Sequence, residues 1–174
     1  MRILTEKEIL NIPETKLPLL VLSFNYRNVI STLINIRKHS HYNHFMLYHR
    51  PGFFASQGTS FKEESVENYL DHHRLKFWYN PDWSRAEQLR MIGKIDDWLT
   101  VGSFKSRYDW LAIIGQLFGK PWFQNPYTRI CSDYIDVLKS VDPDYNLNHP
   151  APNDINRWLE NHSRYRVYGR YIRD

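Results

Sequence analysis

Cysteine occurs only once in this chain, as Cys131. A lone thiol cannot form a disulfide within the chain, which is typical of proteins from a reducing compartment. No apolar stretch approaches the ~20 residues that a membrane-spanning helix requires. Residues 1–8 also lack the long apolar block of a signal peptide. We therefore expect a cytoplasmic protein without a membrane span.

Charge and glycine are also limited, whereas aromatic residues are plentiful. A net charge of +4 is too small to indicate nucleic acid binding, so we do not expect nucleic acid as a partner. The seven glycines form no glycine-rich loop, and the sequence has no internal repeat. In contrast, 12 Tyr, 9 Phe and 6 Trp suit an aromatic core and an aromatic-lined cleft. The length fits one domain over residues 1–174, with a polar lead-in at 1–16 and a C-terminal helix and strand within 141–174.

Hydrophobic periodicity predicts an α+β fold, with mostly adjacent strands and with helices gathered in the second half. The predicted strands cover residues 17–24, 45–48, 53–58, 75–79 and 164–173. The second and third of these form a hairpin around Arg50-Pro51-Gly52. Residues 61–64 are predicted to be a turn. The predicted helices begin after Asn28, after Ser65, after Ser84 (to Thr100), at Tyr108 (to Phe118) and at Asn153.

Cys131 lies in a stretch with helical spacing. Pro126 precedes it, and apolar residues recur at Ile130, Tyr134, Val137 and Leu138. This pattern predicts that Cys131 lies at or near a helix N-terminus, where unpaired N–H groups favour a thiolate and can hold an oxyanion. The alternative is a small buried thiol that packs as a hydrophobic residue.

His44 is the candidate base for such a thiol. It stands at the entry to a predicted strand, after a polar turn. A nucleophilic cysteine needs a base within hydrogen-bond reach, and the base needs a third group that fixes its tautomer. Ser56 and Gln57 on the following strand offer polar groups for that role.

Three segments resemble the circularly permuted NlpC/P60 (papain-like) hydrolases, the group that includes YiiX-type proteins. The first is Ser40-His41-Tyr42-Asn43-His44-Phe45-Met46-Leu47-Tyr48, similar to the family's histidine entry to a hydrophobic strand. The second is the strand, glycine turn and helix pattern of residues 53–70. The third combines Tyr108-Asp109-Trp110 with residues 129–135, which are similar to the family's Cys-Ser-Glu-Leu-Val helix. The resemblance covers roughly residues 17–140.

The resemblance implies a papain-like fold with a small antiparallel sheet packed against helices. It also implies a cysteine peptidase or amidase that needs no cofactor, with Cys131 as nucleophile and His44 as general base. The third residue would be Gln57, ahead of Ser56, since this strand carries no carboxylate at the family's position. Substrates would be a peptidoglycan peptide, an isopeptide or a lipid amide. Tyr108 and Ser56 are candidates for the oxyanion site or the cleft, although Tyr108 also suits a core position.

Other interpretations remain open at the level of sequence. The same fold can serve as a non-catalytic interaction or structural module, for example a phage or virion component with a protein partner. A metal site among the clustered histidines is not expected, because no second cysteine and no helical His-x-x-x-His pair accompany them. The alternating arginines and tyrosines of residues 164–173 suit an edge strand better than a nucleic acid surface.

Overall fold

A computed structural model describes residues 2–25, 42–57, 61–105, 131–147 and 150–173. The helices predicted after Asn28 and over 108–118 fall outside these residues. Within the described part, the α+β class is confirmed.

The centre of the fold is one six-stranded sheet in which every neighbouring pair is antiparallel. The strands are β1 (Leu19–Asn25), β2 (His44–Arg50), β3 (Phe53–Gln57), β4 (Phe61–Ser65), β5 (His73–Tyr79) and β6 (Arg166–Tyr171). Their spatial order is β4-β3-β2-β1-β5-β6. The predicted hairpin joins β2 and β3, and Gly52 permits its turn with a φ of 80°.

The helices are α1 (Glu6–Leu10), α2 (Glu67–Leu70), α3 (Arg85–Lys105) and α4 (Pro152–Asn161). Two further segments have 3₁₀ geometry, Glu14–Lys16 and Cys131–Ser140; we call the second the cysteine helix. Ser84 caps α3 as predicted, because its hydroxyl accepts the Glu87 amide at 3.3 Å and its own amide donates to the Glu87 carboxylate at 2.8 Å. None of the helices in the described ranges is long and apolar enough to cross a membrane.

Side chains alternate along the strands, so the sheet has two buried faces. One, the helical face, is covered by α3, α4 and the cysteine helix and includes Leu20, Leu22, Phe45, Leu47 and Ala55. The other, the N-terminal face, is covered by residues 4–12 and α2 and includes Leu19, Val21, Met46, Tyr48 and Phe54. The cysteine helix adds Tyr134, Ile135, Val137 and Leu138 to the helical face.

Three local predictions differ from the structure. Residues 61–65 form the edge strand β4 and not a turn. Leu89 has the helical spacing of Ile92 and Ile95, which predicts the buried side of α3, yet it is 51% exposed and Met91 is buried instead. The lead-in is not merely polar, because its apolar residues Leu4, Ile9 and Ile12 are all buried in the core of the N-terminal face.

Candidate active site around His44

His44 opens β2 and pairs with Ser23 of β1. Its Nε2 atom lies 2.8 Å from the Ser56 hydroxyl on β3. The imidazole is partly buried, and Ser56 is only 1% exposed. The neighbouring strand therefore fixes one ring nitrogen of His44, and its Nδ1 atom is left for another group.

The Ser56 hydroxyl continues into a chain of polar groups. The Tyr69 hydroxyl of α2 lies 3.0 Å from the Ser56 hydroxyl. The same Tyr69 hydroxyl donates to a carboxylate oxygen of Glu64 on β4. The Lys62 ammonium pairs with Glu64 at 2.9 Å. A carboxylate thus stands at the far end of a hydrogen-bonded chain that begins at His44.

Burial controls protonation in this cluster. Burial, with a smaller contribution from nearby His73, lowers the pKa of His44 to about 4. Burial likewise lowers the pKa of His73 to about 4. Burial alone would raise the pKa of Glu64, but the Tyr69 hydrogen bond and the Lys62 ammonium hold it below its ordinary value. At neutral pH the cluster contains two neutral imidazoles and one ionised carboxylate.

The cysteine helix reaches the end of the sheet at which His44 lies. Its Tyr134 ring stacks on Phe61 of β4, with ring centroids 3.8 Å apart. Phe61 pairs with Gln57, the last residue of β3. The side chains of Cys131 and Gln57, and all of Tyr108, lie outside the described residues. The Cys131–His44 contact and the roles of Gln57 and Tyr108 stay predictions.

The sheet separates the described neighbours of His44 from the cysteine helix. His44 and Ser56 belong to the N-terminal face, because they follow the same alternation as Met46 and Phe54. The cysteine helix packs on Phe45 and the rest of the helical face. A thiol that reaches the imidazole must therefore approach around the end of the sheet.

A third histidine, His49, lies near the far end of β2 and is 1% exposed. Its Nε2 atom lies 3.0 Å from the Glu63 carboxylate. Arg50 bridges Glu63 at 3.6 Å and Asp96 of α3 at 2.9 Å. An open cavity of about 450 Å³ adjoins these charges between β4 and α3 and is bordered by Phe61.

Glu64 and Tyr69 are the members of the site that the sequence did not indicate. Glu64 fell in a predicted turn, and Tyr69 had the spacing of an ordinary short helix. The sequence of β4, Phe-Lys-Glu-Glu-Ser, has a single apolar residue and no alternation that would have indicated a strand. Within the described ranges, no three His, Cys, Asp or Glu side chains are grouped so that they could hold a metal ion.

No family model and no curated protein sequence matches the chain.

Proposed function

We propose that this protein is a cysteine hydrolase of the permuted papain-like type that cleaves an amide. One observation carries the proposal: His44 Nε2 is held 2.8 Å from the Ser56 hydroxyl across the hairpin. In that arrangement Nε2 orients the imidazole through its hydrogen bond, and Nδ1 is the nitrogen that would accept the proton of a thiol. A Cys–His pair needs both functions. The helix that carries Cys131 lies at the same end of the sheet.

The reaction follows from these roles. His44 Nδ1 takes the thiol proton of Cys131, and the sulfur attacks the carbonyl carbon of the amide. The tetrahedral intermediate collapses as His44 returns the proton to the leaving amine, which departs and leaves a thioester. Water then attacks the thioester, His44 takes a proton from the water and returns it to the sulfur, and the carboxylic acid is released.

The neutral state of His44 suits the first step. Because burial keeps the pKa of His44 near 4, the imidazole can accept a proton throughout the neutral range. A Cys131 thiolate beside the ring would raise the pKa of His44, because an opposite charge within about 4–6 Å favours the charged form of the imidazole. The substrate classes suggested by the resemblance are a peptidoglycan peptide, an isopeptide and a lipid amide.

A different observation favours a second candidate, a non-catalytic interaction or structural module. The described contacts of His44 lie on the N-terminal face, whereas the cysteine helix packs on the helical face. If the thiol stays on the helical face, His44 serves only to tie β2 to β3. Cys131 is then a structural residue.

The rate of Cys131 alkylation by iodoacetamide as a function of pH distinguishes the two candidates. The chain has one cysteine, so the incorporated mass reports that thiol alone. An activated pair predicts fast labelling well below pH 8 that His44→Ala slows, since the thiolate and not the thiol is the reacting species.

His162→Ala is the matched control, because His162 lies at the C-cap of α4 and packs on the Trp158 ring, away from His44. This variant should label like wild type. Slow labelling in all three proteins, or labelling only after unfolding, would reject the hydrolase in favour of the structural module.

A further inference from the structure

We propose that Glu64, acting through Tyr69 and Ser56, sets the tautomer of His44 and so is the carboxylate that the strand beside His44 lacks. The inference rests on the proposed function for its role in catalysis. It rests on hydrogen bonds between described residues for its geometry. Glu64 and Tyr69 are positioning residues, since neither touches the reacting atoms.

The direction of the chain follows from counting protons. An ionised carboxylate only accepts, so the single hydroxyl proton of Tyr69 goes to Glu64. The Tyr69 oxygen is then the acceptor for the Ser56 proton over the 3.0 Å between their oxygens. The Ser56 oxygen is left to accept, and among the described residues its partner on the other side is His44 Nε2 at 2.8 Å. His44 must carry its proton on Nε2.

The consequence lies on the opposite side of the imidazole. A neutral imidazole with hydrogen on Nε2 presents an unprotonated Nδ1, which is the form able to accept a proton from a thiol. Without a carboxylate at the end of the chain, Ser56 could donate to Nε2 or accept from it, and both tautomers would be populated. Glu64 fixes the direction of the Ser56 hydrogen bond, and hence the His44 tautomer, although Tyr69 and Ser56 lie between Glu64 and His44.

Burial strengthens the effect of this hydrogen-bonded chain on the His44 tautomer. Ser56 is 1% exposed and Tyr69 8% exposed, so water does not readily supply substitute partners. Such chains strengthen each member when they are shielded from solvent. The Lys62 ammonium beside Glu64 keeps the carboxylate ionised, as does the Tyr69 hydrogen bond. Among the described residues, His73 also lies beside this chain, and its ring packs on Tyr69 at 4.8 Å between centroids.

Nitrogen-15 NMR of the full chain, labelled at histidine, tests the inference. In wild type at pH 7, the His44 signals should be those of a neutral ring protonated on Nε2. Tyr69→Phe removes the link to Glu64 and should convert His44 to a mixture or to the Nδ1-protonated form. Glu64→Gln should shift it in the same direction, because an amide donates as well as accepts. Glu63→Gln is the matched control, since Glu63 contacts His49 and not this chain, and it should leave the His44 signals unchanged.

The same variants carry a kinetic readout. Tyr69→Phe should lower the rate of Cys131 alkylation at pH 7 about twofold or more, since a half-converted tautomer leaves half the rings able to accept the proton. His44 protonated on Nδ1 in wild type would overturn the inference, even if His44→Ala shows that Cys131 is activated. If Tyr69→Phe changes the His44 tautomer but His44→Ala leaves the rate of Cys131 alkylation unchanged, the hydrogen-bonded chain from Glu64 to His44 is supported and the hydrolase is rejected. The two failures are therefore distinguishable.

Discussion

The imidazole of His44 is partly buried and that of His73 is buried, and the cost of charging them is the main effect at the scale of single residues. Burial lowers the pKa of each to about 4 from an ordinary value of 6.5. His49, also buried, has its pKa lowered for the same reason despite the nearby Glu63 carboxylate. The folded chain therefore resists proton uptake that the unfolded chain accepts readily.

This difference predicts the pH dependence of stability. Between pH 6.5 and about 4 the unfolded state binds more protons, so the free energy of unfolding should fall as pH falls through this window. The contribution of each histidine to the free energy of unfolding is complete above pH 6.5 and is on the order of 3 kcal/mol, since one pKa unit corresponds to about 1.4 kcal/mol. Urea unfolding of wild type and His73→Gln at pH 8, 7, 6 and 5 measures the His73 contribution to the free energy of unfolding.

The His73→Gln comparison isolates the imidazole from the carboxylates that titrate at lower pH. The variant should differ from wild type by a constant above pH 7 and should lose less stability than wild type between pH 6.5 and pH 5. Parallel curves over the whole range would contradict the burial of a neutral His73.

At the scale of secondary-structure elements, the strands show why the interior strands were predictable from sequence and the edge strand β4 was not. β1 and β2 are interior strands with continuous apolar runs, and β5 is an interior strand that ends in Phe77-Trp78-Tyr79, so all three were predictable from sequence. β4 is an edge strand whose five residues include Lys62, Glu63 and Glu64. Charged side chains protect an edge from pairing with other chains, so the pattern of an edge strand resembles that of a turn. The carboxylate of the site was missed because it belongs to that strand.

The N-terminal segment shows a similar limit of sequence reasoning. It holds only a few apolar residues, which are spaced too irregularly to indicate an element of the core. In the fold, the Leu4 amide donates to the Arg170 carbonyl of β6 at 2.7 Å, and Ile3 forms a bridge with the same strand. The Leu4 side chain then lies directly over Gly169.

A side chain at position 169 tests this contact. In Gly169→Ala the added methyl would lie 2.6 Å from Leu4 Cγ, so we expect a loss of about 1–3 kcal/mol of unfolding free energy. Gly93→Ala is the control, because a methyl there meets open space on α3 and should stabilise the helix by about 1 kcal/mol. Chemical denaturation measures both.

Combining Gly169→Ala with Leu4→Ala completes the comparison. Neighbouring residues are energetically coupled, so the double variant should be more stable than the sum of the two single losses predicts. Strict additivity would show that Leu4 does not pack on Gly169.

For the whole molecule, the sequence predicted the class of fold but not the layout of its two faces. Local periodicity indicates that a residue lies in a strand. The face of the sheet that the residue occupies depends on pairing between distant segments. His44 and Ser56 were predicted to be neighbours because they flank one hairpin. The side of the sheet on which they meet depends on how Met46 pairs with Ser56 and on which helices cover that side.

The arginines that flank β6 show the same dependence on distant partners. Arg164 pairs with Asp142 at 3.4 Å and also contacts Asp144, and Arg173 pairs with Asp71. These carboxylates lie up to about a hundred residues away along the chain. Two of the four arginines in residues 164–173 are thus paired with carboxylates within the fold.

The central claim joins two residues that are far apart in sequence, and a short bifunctional reagent tests it most directly. Dibromoacetone has two reactive carbons that flank a single carbonyl, so it can bridge a thiol and an imidazole only if they are in near contact. After reaction with the native protein and proteolysis, we predict by mass spectrometry a cross-linked peptide that joins Cys131 to His44 through Nδ1. Recovery of Cys131 modified alone, or bridged to a residue of the helical face, would contradict the account.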